Sequence, residues 1–146
     1  MTGAELFFNL FRDREAMSFT PGQCVFKAGD RGETMYIVIE GEVKILVGST
    51  TVETAGPGSI FGELALIDDE PRSATVVAKT RCRLATVDQG EFCYMVSEGP
   101  FLALEVMKVM ADRLRKMNAR IRSKTNQARR TRFGRRRLQR RFPQSG

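Results

Sequence analysis

Between residues 22 and 88 the chain is cut into pieces too short for any long helix. Runs rich in β-branched residues, at 23–27, 35–40, 42–47, 50–54, 73–78 and 81–87, alternate with turn residues. Gly29-Asp30-Arg31-Gly32, Glu40-Gly41, Gly48-Ser49 and Gly56-Pro57-Gly58 do the cutting. Within 42–47, Val43, Ile45 and Val47 point one way and Lys44 the other, the two-residue period of a half-buried strand. Many short strands at close spacing predict a compact antiparallel roll or barrel.

Helical patterns flank this region. Leu6, Phe7, Leu10 and Phe11 predict a short helix over 4–16, ended before Thr20-Pro21-Gly22. Residues 89–97 fit one short helix. A long one begins near 100, with Pro100 in its first turn. Along it Met107, Met110, Leu114, Met117 and Ile121 step by three and four. That stripe either packs on the chain's own barrel or forms a parallel dimer seam. Its length, roughly two heptads, favours the seam. At 146 residues the expectation is one domain. Its class is mainly β with flanking helices: a jelly-roll-like antiparallel β-roll, a short N-terminal helix and a long C-terminal one.

Composition narrows the chemistry. The chain has no histidine. That removes imidazole metal sites, Ser-His and Cys-His pairs and the commonest general base. Cys24, Cys82 and Cys93 are widely spaced and odd in number, which predicts free, mostly packed thiols in a reducing compartment. Apolar runs are short and interrupted, and the N-terminus lacks a basic stretch, so neither a membrane span nor a signal peptide is expected. The expectation is a cytoplasmic binding protein with no metal and no catalytic residues.

The segment Phe61-Gly62-Glu63-Leu64-Ala65-Leu66-Ile67-Asp68-Asp69-Glu70-Pro71-Arg72-Ser73-Ala74-Thr75 interrupts the strands. Residues 63–67 fit one helical turn opened by Gly62, and such a turn exposes N–H groups to an anion. Arg72 either pairs with Asp68 or Asp69 on a solvated loop or swings over the same spot as a phosphate ligand. Glu63 is a poor phosphate ligand but accepts hydrogen bonds from a sugar hydroxyl. Phosphate donors beside a ribose acceptor suggest a nucleotide.

This segment closely resembles the phosphate-binding cassette of the cyclic nucleotide-binding domain family, in F-G-E-L-A-L followed by P-R-S-A-T. The resemblance extends to Gly22–Phe26, Gly29-Asp30, Gly32 and Tyr36–Val43, and covers roughly residues 5–125. It implies that Glu63 accepts from the ribose 2′-hydroxyl and that Arg72 pairs with the phosphate oxygens. The N–H groups of Gly62, Leu64 or Ala65, and Ser73 would complete the cradle, with the Ser73 hydroxyl as a further donor. Met117 and Asn118 on the long helix would meet the base, although a solvent-facing Asn118 is equally consistent. Some members that prefer cyclic GMP carry Thr after the Arg. Ser73 stands there instead, so the ligand is cyclic AMP in preference to cyclic GMP.

Residues 121–146 hold ten of the 24 Lys and Arg and none of the 17 Asp and Glu. The preceding part is therefore mildly acidic, with 14 bases against 17 acids. A nucleotide-binding domain over 1–125 and an Arg-rich tail over 126–146 follow. After Ile121 the large apolar residues are Phe133, Leu138 and Phe142, too few for a helix-turn-helix. The tail reads either as a solvated end or as a surface for nucleic acid, an anionic membrane or a protein partner. The alternative function is a regulator acting through that tail, its pocket degenerate or given to another cyclic mono- or dinucleotide.

Overall fold

The structure, a computed structural model, describes residues 2–141, with side chains from Thr2 to Arg132. Phe142 and the rest of the Arg-rich tail's end lie outside the described residues. The chain divides into two units, Met1–Val106 and Met107–Gly146.

The first unit is an antiparallel β-roll. Helix α1, Gly3–Phe11, begins in a capping box: the Thr2 hydroxyl accepts from the Glu5 N–H at 3.1 Å, and the Glu5 carboxylate accepts from the Thr2 N–H at 3.3 Å. It ends well before residue 16, where the sequence pattern places its end. The reason is tertiary. Residues Met17–Phe19 form strand β1, paired with β8 (Cys82–Asp88), which delivers Phe19 to the core. Arg14, in the connection, donates to Glu91 at 2.7 Å.

The remaining strands are β2 Cys24–Phe26, β3 Thr34–Glu40, β4 Val43–Val47, β5 Thr50–Ala55, β6 Ile60–Phe61 and β7 Thr75–Ala78. They build two four-stranded sheets, ordered β1-β8-β3-β6 and β2-β7-β4-β5. Inward residues of both sheets meet in one core: Phe19, Val38, Phe61 and Leu84 from the first, Val43, Ile45, Ala55 and Val76 from the second. Each large side chain buried this way contributes about 1.5–3 kcal/mol. The expected roll with flanking helices is the observed fold.

Val47 departs from its expected inward face and is 52% exposed. The register of β4 against β5 shifts between Ile45 and Leu46, and such a bulge breaks the two-residue alternation. Strands β1 and β6, of three and two residues, carry too few residues to show a period.

Helix α2, Gln89–Glu98, is capped by the Asp88 carboxylate, which accepts from the Glu91 N–H at 2.8 Å. Helix α3 runs from Phe101 to Arg141. Its first residues belong to the first unit, where Leu102 and Val106 are buried. The rest of α3 forms the second unit. There Met107, Leu114, Met117 and Ile121 of the apolar stripe are all more than half exposed, while Met110 is half-buried.

Candidate functional site

The cassette begins where β6 ends. Gly62 has a φ of 72°, a left-handed conformation that favours glycine. It turns the chain from strand into a single 3₁₀ turn, Glu63–Leu66, as the sequence anticipates. The Ala65 N–H donates to the Gly62 carbonyl at 3.2 Å, and the Ile67 and Asp68 N–H groups both go to Leu64. Glu63 is buried, Leu64 is exposed, and Ala65 is half-buried.

Arg72 is brought back over this turn by a backbone clasp. Its N–H donates to the Asp30 carbonyl at 2.8 Å, and its carbonyl accepts from the Gly29 N–H at 2.8 Å. Asp30 is itself fixed, because its carboxylate accepts from the Lys27 N–H at 2.9 Å. The turn Gly29–Gly32 therefore holds the arginine in place. Ser73 follows on the surface, and β7 starts at Thr75, whose hydroxyl accepts from the Ala28 N–H at 3.0 Å.

The arginine side chain points inward and is 9% exposed. Nη1 donates to the Gly62 carbonyl at 3.2 Å, and Nη2 donates to the Thr34 carbonyl at 2.8 Å. The guanidinium carbon lies 4.2 Å from the centre of the Phe26 ring and 5.8 Å from that of Tyr36, within cation–π range. The solvated ion pair with Asp68 or Asp69 is thus not the arrangement adopted. Asp68 instead accepts from the Glu70 N–H at 3.2 Å, and both aspartates are exposed.

Nε of Arg72 is buried with no hydrogen-bond partner. A buried donor left unpaired costs roughly 1–3 kcal/mol, more when charged. Burial lowers the Arg72 pKa, while Tyr36, Asp30 and Glu63 act to raise it. The site is therefore a desolvated cation whose Nε has no partner, which is the chemistry of an anion receptor.

Two glycines leave room for this guanidinium. A Cβ on Gly32 would meet Nη2 and lie 2.5 Å from Nε, and one on Gly62 would lie 2.7 Å from Nη1. The wall behind is aromatic: Tyr36 stacks on Phe61 with ring centres 5.1 Å apart and an interplanar angle of 3°, and Phe26 leans on both. Sequence reasoning gives these three rings no role. Phe61 directly precedes Gly62 and Phe26 closely precedes Gly29, a faint signal, but only the fold shows that they meet Arg72.

The first unit thus holds Gly62, Glu63, Leu64, Ala65, Arg72 and Ser73 in one segment, in which the buried guanidinium bonds the Gly62 carbonyl while Leu64 and Ser73 are exposed. Met117 and Asn118 belong to the second unit, on an exposed part of α3. Among the described residues no group of three His, Cys, Asp or Glu is placed to hold a metal ion, and no helix is long and apolar enough to cross a membrane.

The chain is similar to proteins already known. The family model described as the cyclic nucleotide-binding domain matches residues 16–98. A cAMP-dependent protein kinase regulatory subunit from Eremothecium gossypii is 42% identical over 80 residues, covering 55% of this chain and 18% of that one. The catabolite activator protein of Thermus thermophilus superposes with a TM-score of 0.67 at 27% identity, covering 82% of this chain and 57% of that one. A solved protein from a cyclic-GMP-dependent signalling pathway of bacterial phytopathogenesis superposes at 0.66 and 31% identity, covering 78% of this chain and 94% of that one. The chain spans 18% to 51% of the length of the curated relatives it matches.

Proposed function

This chain belongs to the cyclic nucleotide-binding domain family, and from that premise we propose that it is a non-enzymatic sensor of cyclic AMP. The observation that carries the reading is the buried Arg72 guanidinium with its unpartnered Nε. A cyclic phosphate carries a single negative charge and matches a single guanidinium. Its oxygens accept from Arg72, from the N–H groups of Gly62, Leu64 or Ala65 and Ser73, and from the Ser73 hydroxyl. Glu63, whose charge acts on Arg72, accepts from the ribose 2′-hydroxyl.

Ala65 engages its N–H with Gly62 in this structure, and Arg72 engages two donors with carbonyls. A phosphate accepting from these groups competes with bonds inside the cassette. Occupancy is then coupled to the shape of the 3₁₀ turn, and α3 carries the change outward. This requires the ligand to favour one helix position over another, because equal affinity for both shifts nothing. Residues 1–125 act as the sensing domain, in the cytoplasm. The exposed stripe on α3 pairs two copies of the chain.

The base is the least constrained element. The kinase regulatory subunit is named for cyclic AMP, and the phytopathogen protein's pathway for cyclic GMP. The higher identity to the former, together with Ser73, supports adenine. Calorimetric titration of the full chain with each nucleotide tests the proposal. Tighter binding of cyclic AMP is expected. Absence of binding by folded protein, or undiminished binding by folded Arg72→Ala, overturns it.

A further inference from the structure

The arginines of α3 are used neither by the β-roll nor by the nucleotide site. Asp112, the last acid in the sequence, pairs with Lys116 at 2.9 Å. Beyond it, from Arg122 to Arg141, the backbone is continuous helix and carries ten Lys or Arg with no acid to neutralise them. Arg122, Lys124, Arg129, Arg130 and Arg132 are exposed. Arg132, Arg136 and Arg140 follow one another at four-residue intervals, where like charges on a helix repel. A polyanion aligned with the helix relieves that repulsion along its length.

Dimension and patterning narrow the anion's class. A helix of this length extends about 30 Å, close to the roughly 34 Å of one turn of duplex DNA. At about 100° per residue the exposed Arg122, Lys124, Arg129, Arg130 and Arg132 fall on all sides of the helix. The large apolar residues between 122 and 141 are Phe133 and Leu138. A flat anionic membrane meets only one side of a helix, and two large apolar residues give no continuous face to insert into it. A helix charged around its girth suits a groove with phosphates on both walls. The B-DNA major groove admits a helix, whereas that of an RNA duplex is too narrow.

We propose that residues 122–141 form a docking surface for the phosphate backbone of duplex DNA. Contacts from Lys and Arg to phosphate position a protein without reading bases, so binding is independent of sequence. Fluorescence anisotropy of the full chain with a labelled duplex of about 20 base pairs tests this. Neutralising about five phosphates gives a log–log salt slope near −5, or roughly a thousandfold loss between about 50 and 200 mM salt. Two duplexes of unrelated sequence should agree within about threefold. Converting Arg129, Arg130, Arg132, Arg135 and Arg136 together to Gln should weaken binding at least about a hundredfold, while converting the same five to Lys should keep it within about threefold. Loss with both sets, equal binding by the Gln variant, or no binding at low salt overturns the proposal. So does binding of duplex RNA, or of phosphatidylserine vesicles, about tenfold tighter than DNA.

Discussion

The β-roll and the outer length of α3 solve the problem of charge in opposite ways. In the roll a single arginine is taken out of water, flanked by two aromatic rings and given two backbone carbonyls. On α3 many arginines stay near one another, and from Arg115 to Arg132 those whose side chains are described are in solvent. The first arrangement costs desolvation and yields a receptor specific in shape, because each donor is aimed by the fold. The second costs little to build and yields a surface specific only in charge, whose attraction salt screens. On the two proposals made above, the same residue type would serve a small, singly charged ligand in one place and an extended polyanion in the other.

If that contrast is right, the largest effect should come from the buried arginine. Arg72→Ala should weaken cyclic nucleotide binding at least about a hundredfold, near 3 kcal/mol, because a charge-assisted contact is lost. Duplex binding should be unchanged, and a fall in both, read by calorimetry and anisotropy, would erase the distinction. Next comes packing. Leu102→Ala, on the buried start of α3, should cost about 2–5 kcal/mol in urea unfolding of the roll. Leu114→Glu, on the exposed stripe, should leave that transition within about 0.5 kcal/mol. Its signature is instead a shift from dimer to monomer in sedimentation, and an unchanged mass would remove the seam from the proposal.

A smaller effect is expected at the ribose. Glu63→Gln keeps size but loses the charge that accepts from a hydroxyl, so affinity should fall about tenfold, with a lesser loss for 2′-deoxy ligand. The mildest test concerns thiols. Burial raises the Cys82 pKa, and Cys93 is exposed. Cys93 should react with a thiol reagent at neutral pH while Cys82 stays silent until unfolding. The linkage has a definite sign. Cys82 is neutral in both states below its unfolded pKa and imposes no penalty there. As pH rises past that value the unfolded thiol ionises first, and stability declines.

Much of the roll is legible because alternation and glycine turns are local signals. Six of its strands fall where β-branched runs stand between turns. What the pattern omits or misplaces follows from contacts distant in sequence. The early end of α1 depends on β1 finding β8, more than sixty residues away. The exposure of Val47 depends on a bulge set by β5. The cassette is legible as a motif, and even its helical turn can be anticipated from Gly62. Arg72 is different. Beside Asp68 and Asp69 in sequence, it has near neighbours that favour a surface ion pair, and the carbonyl of Thr34 and the ring of Phe26 cannot be seen from where it stands in the chain.

The sequence by itself therefore determined the class of the fold, the place of the cassette and the division between a mildly acidic roll and a basic helix. The first and third are properties of composition and short-range period and the second of an ordered local motif that resembles a known family, and all of these survive without contacts. Tertiary structure decided which way Arg72 faces, and with that whether its guanidinium is solvated or buried. The choice turns on burial, and burial is a sum over neighbours that only the folded chain brings together: Gly29 and Asp30 to clasp the backbone, Gly32 and Gly62 to leave room, Phe26 and Tyr36 to exclude water.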